Sequence, residues 1–150
     1  MSNVIAGVVR GQMPYLEEHI AQKRAIYERY RDGFKGLPVQ MNPYDVVNSV
    51  PNFWLSCMII ENAALAKCKP AKILDSLNEM NAEGRPIWKP MHMQPIYKEH
   101  AFVTAQGLGD LNCDSSAGSD IFARGLCLPS DNKMTPEQQD AIIKTIRDCF

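Results

Sequence analysis

From residue 2 to about residue 34, apolar side chains return every three or four positions: Val4, Ile5, Val8 and Val9, then Leu16, Ile20, Ile26, Tyr27, Tyr30 and Phe34. Charged residues fill the opposite face, and that period predicts a long amphipathic helix. Pro14 removes a backbone donor and crowds the preceding turn, so the helix is expected to kink or restart there. Gly33 and Gly36 end it, and Pro38 keeps it from resuming. Residues 52–61 (NFWLSCMIIE) change the pattern. They are aromatic and β-branched, bounded by Pro51 and Asn62, and too short for a stable helix, which predicts a buried strand. Val39–Met41 is a shorter strand candidate.

Pro70 in a first turn, followed by Ile73, Leu74, Leu77 and Met80 at helical steps, predicts a second amphipathic helix closed by Gly84. A strand over 85–89 follows. Residues 90–119 are rich in Pro, Gly, Asn, Asp and Ser, with one apolar patch at 101–104, and read as a long loop with a single helical turn. A brief helix at 120–124 and an inner strand at 125–129, ended by Pro129, come next. Thr135, Pro136 and Glu137 then supply an N-cap, a first-turn proline and an acidic first turn. Ile142, Ile143, Ile146 and Phe150 mark the buried face of the terminal helix that they open.

The order of elements gives the α+β class: a long N-terminal linking helix, then a small, mainly antiparallel sheet packed with helices. Residues 1–36 form the linking helix and 37–150 the small domain. The leading helix is too long for so small a sheet to cover. Its uncovered apolar face, Val4 to Val9 above all, is expected to pack against a partner subunit or another domain.

Composition narrows the function classes. In 150 residues, 45% hydrophobic and 22% charged, there is enough apolar material for one core. The 16 basic and 17 acidic residues leave a formal charge of -1, which draws the chain neither to nucleic acid nor to a lipid surface. Cys57, Cys68, Cys113, Cys127 and Cys149 are odd in number and contain no C-x-x-C pair. That argues against a disulfide framework and a structural zinc site, and for thiols in a reducing cytoplasm. No basic segment precedes the short apolar stretch at the start, and no run is long enough to span a bilayer.

The densest group of chemically capable side chains lies in Arg85-Pro-Ile-Trp-Lys-Pro-Met-His-Met-Gln-Pro-Ile-Tyr97. Arg85, Trp88, Lys89, His92 and Tyr97 put two cations, an indole, an imidazole and a phenol on a segment stiffened by Pro86, Pro90 and Pro95. Such groups suit an anionic or sugar-like ligand. On the residues alone the plainer reading is favoured, with Trp88 in the core, Arg85 and Lys89 solvated, and His92 an ordinary loop histidine. Gly107-Leu-Gly109-Asp110 lacks the third glycine of a dinucleotide loop and reads as a turn. Met91 and Met93 read as gap fillers rather than metal ligands. No Gly-x-Ser-x-Gly motif or catalytic cysteine setting is present, so no catalytic residue and no metal ligand is assigned.

Five blocks follow one another in a familiar order. They are Met1-Ser-Asn-Val-Ile-Ala-Gly-Val-Val-Arg-Gly-Gln-Met13, Phe53-Trp-Leu-Ser56, Gly84-Arg-Pro-Ile-Trp-Lys-Pro-Met-His-Met-Gln-Pro95, Gly125-Leu-Cys-Leu-Pro-Ser130 and Met134-Thr-Pro-Glu137. Together they resemble the DegT/DnrJ-type sugar aminotransferases, and most of all the bacterial enzymes that aminate the 4-keto group of a UDP-linked deoxy sugar. The likeness spans nearly the whole chain, and Arg-Pro-x-Trp-Lys-x-Met-His is its most specific element.

The resemblance implies a pyridoxal-phosphate-dependent homodimer with a large cofactor-binding domain, a long helix and a small C-terminal domain; this chain corresponds to the last two. It implies transfer of an amino group from glutamate to the sugar ketone, with the cofactor as electron sink. In family members the lysine that carries the cofactor lies upstream of the segment matched here. The chain alone is therefore expected to hold no cofactor and to be inactive, as the C-terminal part of a longer enzyme. By resemblance, His92 and Trp88 line the substrate cleft, Lys89 and Arg85 meet diphosphate or sugar oxygens, and Tyr97 lies nearby. The alternative is a stand-alone module for sugar-nucleotide binding or dimerisation.

Overall fold

The computed structural model describes residues 1–44, 46–104, 107–109 and 116–150. The leading amphipathic segment forms two helices, α1 (Asn3–Gln12) and α2 (Leu16–Gly33), joined by a 3₁₀ turn over Met13–Tyr15. The break falls where Pro14 was expected to place it. Ser2 caps α1, its hydroxyl accepting from the Ile5 amide at 3.3 Å. No residue of α1 is buried, and Val4 and Val8 are 77% and 62% exposed. The second half of α2 behaves differently: Ile26 and Tyr30, with Phe34 just past its end, enter the core.

Strands β1 (Val39–Met41), β2 (Cys57–Ile60), β3 (Arg85–Pro86) and β6 (Gly125–Cys127) form one antiparallel sheet in the order β1-β2-β6-β3. A separate hairpin pairs β4 (Phe102–Thr104) with β5 (Gly107–Gly109). Met58, Ile60 and Leu126 face the core, where α2, α3 (Pro70–Glu79) and α5 (Pro136–Asp148) bring Tyr30, Ile73, Leu77, Ile142 and Ile146 against them. Each fully buried aliphatic side chain there contributes about 1.5–3 kcal/mol. The opposite face of β2 and β6 carries α4 (Ala117–Arg124). Among the described residues no helix is long and apolar enough to cross a membrane.

Helices α2 and α5 approach closely at Gly33, where a Cβ would stand 2.7 Å from Ile143 Cδ1. Polar contacts bind the same pair. Arg29 donates twice to Asp140, at 2.9 and 2.6 Å, Gln139 Nε2 donates to the Ile26 carbonyl at 2.8 Å, and Arg147 donates to the Gly33 carbonyl at 2.8 Å. Tyr30, fully buried, donates its hydroxyl to the Pro129 carbonyl at 2.8 Å, and burial pushes its pKa up. The start of α5 is a capping box between Thr135 and Gln138.

Several expected boundaries move. The strand foreseen over 52–61 shrinks to Cys57–Ile60 because Phe53 adopts φ 53°, in the left-handed region. Amides there find partners outside a ladder: Trp54 donates to Asn52 Oδ1 at 3.1 Å and Ser56 to Ser130 Oγ at 3.3 Å. The unusual backbone is held by burial of the Phe53 ring, 4.4 Å from Tyr44 and 5.5 Å from Tyr27, with the Arg24 guanidinium over it at 5.0 Å. The strand foreseen over 85–89 stops at Pro86, which has no amide to donate.

The long loop contains more structure than one helical turn. It has two 3₁₀ turns, Met91–Met93 and Pro95–Tyr97, and the β4–β5 hairpin. Helix α4 starts at Ala117 rather than at residue 120, because the Ser116 hydroxyl caps it by accepting from the Ser119 amide at 3.1 Å. The strand foreseen over 125–129 covers only Gly125–Cys127. Met91, foreseen as a gap filler, is exposed. Cys113 and Asp110 lie outside the described residues; Cys57, Cys68, Cys127 and Cys149 are free thiols.

Gly125 sits where a Cβ would meet Ile87 Cγ1 at 2.5 Å and the Ile121 carbonyl oxygen at 2.6 Å. Gly125→Ala is expected to destabilise the fold by about 1–3 kcal/mol through overpacking, read as a lower urea midpoint; an unchanged midpoint would show that α4 yields freely. Tyr30→Phe leaves the Pro129 carbonyl without its donor and is expected to cost about 1–2 kcal/mol by the same measurement.

Candidate functional site

The left-handed turn at Phe53 buries that ring and turns its neighbour outward, so Trp54 is 62% exposed. Across from it, β3 leaves the sheet edge at Pro86 and carries Trp88 into the same space, with the two indole centroids 6.0 Å apart. Trp88 is thus not a core residue; it is 60% exposed. The end of β6 and the Pro129 turn close the third side. Together these segments bound a cleft of about 600 Å³ that includes Trp54, Arg85, Trp88, Cys127 and Ser130.

The floor of the cleft is tied down from below. Ser130 Oγ donates to the Leu128 carbonyl at 2.9 Å and accepts from the Ser56 amide, and Lys23 of α2 donates to the Ser130 carbonyl. Tyr44 donates to the Leu55 carbonyl at 2.9 Å, and Tyr27 to the Asn42 carbonyl at 2.8 Å, which steadies the segment that leads to Trp54. Burial is the main influence on both phenols and pushes their pKa values up.

Arg85 is the cation of the cleft. It reaches Glu83 at 2.7–2.8 Å, but both side chains are 73% exposed, so the pair is weak and an anionic ligand can compete for the guanidinium. The lining also contains Glu83 and carries no lysine amine. Taken by themselves, those residues do not make up a site that binds the aldehyde of pyridoxal phosphate covalently. Among the described residues, no three metal-ligating side chains cluster.

Of the five residues singled out in the sequence, Arg85 and Trp88 line this cleft, whereas Lys89, His92 and Tyr97 do not. Lys89 accepts a bond from Gln94 Nε2 at its carbonyl, 3.1 Å. His92 is docked on the start of α4: its Nε2 is 2.9 Å from Ser119 Oγ and 3.4 Å from Ser116 Oγ, and its ring packs on Phe102 at 4.3 Å. Tyr97 packs beside His100 at 6.0 Å. Sequence reasoning about chemistry passed over Trp54, Cys127 and Ser130. The signal was available in another form, because blocks 53–56, 84–95 and 125–130 are the segments that converge on the cleft.

Comparison with known proteins places the chain among its relatives. EpsN of Bacillus subtilis (strain 168), whose name places it among the pyridoxal phosphate-dependent aminotransferases, is 33% identical over 151 residues, covering 100% of this chain and 36% of its own length. GDP-perosamine synthase of Vibrio cholerae is 26% identical over 150 residues, covering 100% of this chain and 38% of the relative. The chain thus spans a little over a third of these curated relatives. In fold it matches Spr1654 of Streptococcus pneumoniae in its PLP-form, named as a sugar aminotransferase, with a TM-score of 0.81 and 19% identity over 99% of this chain and 36% of that one. Residues 1–147 match the family model itself, so the chain belongs to the DegT/DnrJ/EryC1/StrS aminotransferase family.

Proposed function

We propose that this chain forms the sugar-nucleotide side of the substrate cleft in an enzyme that transfers an amino group from glutamate to the 4-keto group of a UDP-linked deoxy sugar. The observation that carries this reading is the meeting of Trp54, Trp88 and Arg85 in one cleft of about 600 Å³. Indole faces suit a base or the apolar face of a sugar ring, and a guanidinium makes charge-assisted bonds to a diphosphate. The names of EpsN and GDP-perosamine synthase support the class of reaction.

Pyridoxal phosphate supplies the electron sink for such an exchange. The family likeness implies that the lysine that carries the cofactor lies upstream of the matched segment. What this chain contributes is orientation. Arg85 fixes the diphosphate, and Trp54 and Trp88 hold the attached ring system. The exposed apolar stripe of α1, with Val4, Ile5, Val8 and Val9, supports packing of the linking helix within a homodimer.

The chain contains two tryptophans, and both face the cleft, so indole fluorescence reports on that site alone. UDP is expected to give a saturable change, weakened about tenfold by Arg85→Ala through loss of charge-assisted bonds. No response to UDP, or an identical titration for the variant, overturns the assignment of the cleft. Separately, a chain incubated with pyridoxal phosphate, dialysed free of it and only then reduced with borohydride is expected to keep its mass; a single stoichiometric lysine adduct contradicts placement of the cofactor outside this chain.

A further inference from the structure

Cys57 on β2 and Cys127 on β6 are direct register partners, and their sulfurs lie 3.5 Å apart, with Cys57 donating. Their backbone setting favours a closer approach. The adjoining pair is bonded through the Leu128 amide to the Ser56 carbonyl at 2.9 Å, while the Cys57 amide turns away to Asn42 Oδ1 at 3.0 Å. Positions 57 and 127 are therefore a non-hydrogen-bonded pair, the kind in which Cα atoms stand roughly 4.5 Å apart. A disulfide spans Cα separations of about 4.4–6.8 Å. The alternation of each strand also places both thiols on the face opposite Met58 and Leu126, away from the close-packed core.

Arg85 is the partner of Cys127 on the other edge of β6. A guanidinium and two sulfurs thus stand in a row across three strands, and the middle sulfur lines the Trp54–Trp88 cleft. The hydrogen bond from Cys57, and after it the charge of Arg85, hold the Cys127 thiol below its ordinary pKa against the effect of burial. Cys57, whose proton is engaged with Cys127, is pushed up by that bond and by burial. The two sulfurs are unequal: Cys127, although buried, lines the cleft, whereas Cys57 is half-buried and does not. The other two described cysteines are placed differently: Cys68 is fully buried and Cys149 donates to the Thr145 carbonyl at 3.3 Å.

We propose that Cys57 and Cys127 are a reversible dithiol–disulfide site, with Cys127 the thiol that reacts with small-molecule disulfides entering the cleft and Cys57 the thiol that resolves the product. Cys127 loses its proton and its thiolate attacks one sulfur of the small disulfide. A mixed disulfide forms, and one small thiolate leaves. Cys57, on giving up its proton, attacks the Cys127 sulfur and expels the second small thiolate. Two protein thiols and one small disulfide become one protein disulfide and two small thiols, with the two electrons passing from the protein to the oxidant. This inference rests on the sheet geometry and stands apart from the ligand assigned to the cleft.

The test is to incubate the chain with excess oxidised glutathione, alkylate the remaining thiols and map the peptides without reduction. Of the five thiols, two are expected to be lost, in one peptide that joins Cys57 to Cys127, with no glutathione retained and full recovery in dithiothreitol. Cys57→Ser is expected to hold glutathione on Cys127, and Arg85→Gln to slow the first step several-fold. If circular dichroism shows that a variant does not fold, the wild-type map decides the question alone. Retention of all five thiols, or a cross-link that leaves out Cys57 or Cys127, overturns the proposal.

Discussion

Strand β6 has neighbours on both edges and packing on both faces, and those surroundings constrain each of its residues. β2 and β3 take its hydrogen bonds. Leu126 fills the core side with Met58, and Cys127 lies under the cleft on the other. Gly125 leaves room for the Ile121 carbonyl and Ile87, which a methyl group would displace. The three residues are all buried, and both the sheet and the cleft are built outward from them. A chain with a side chain at 125 would have to move α4 away, and with α4 the Ser116–Ser119–His92 cluster that rests on it.

Much of this was readable wherever one local rule acted alone. The period of α2, the proline break at Pro14, the Pro70 start of α3 and the Thr135 cap of α5 each follow from nearest neighbours in sequence. The failures have a common cause. Residues 52–56 have strand composition, but the burial of Phe53 between Tyr27 and Tyr44 is a tertiary contact that outweighs the local preference for extended backbone. The early start of α4 likewise depends on one serine hydroxyl rather than on apolar spacing.

The cleft was half legible. Arg85 and Trp88 stood out because several chemically capable residues crowd into one short segment. Trp54 and Ser130 did not, since each is unremarkable in its own stretch and gains its role only when the sheet brings segments 70 or more residues apart together. Family likeness detected those segments without chemistry: three of the five blocks chosen for their order along the chain share a location at the cleft. His92 shows the converse. An imidazole that looks available in the sequence is committed in the fold to two serine hydroxyls and a phenylalanine ring.

Helix α2 touches the rim of the cleft through two of its side chains, with Lys23 bonded to the Ser130 carbonyl and Tyr30 to the Pro129 carbonyl. Both acceptors belong to the short turn that follows β6. The same helix continues from α1, which has no support from the body of this domain. Mechanically, α2 is a beam clamped along its second half by the core and by α5, and its two bonds tie the edge of the cleft to that fixed element rather than to a loop.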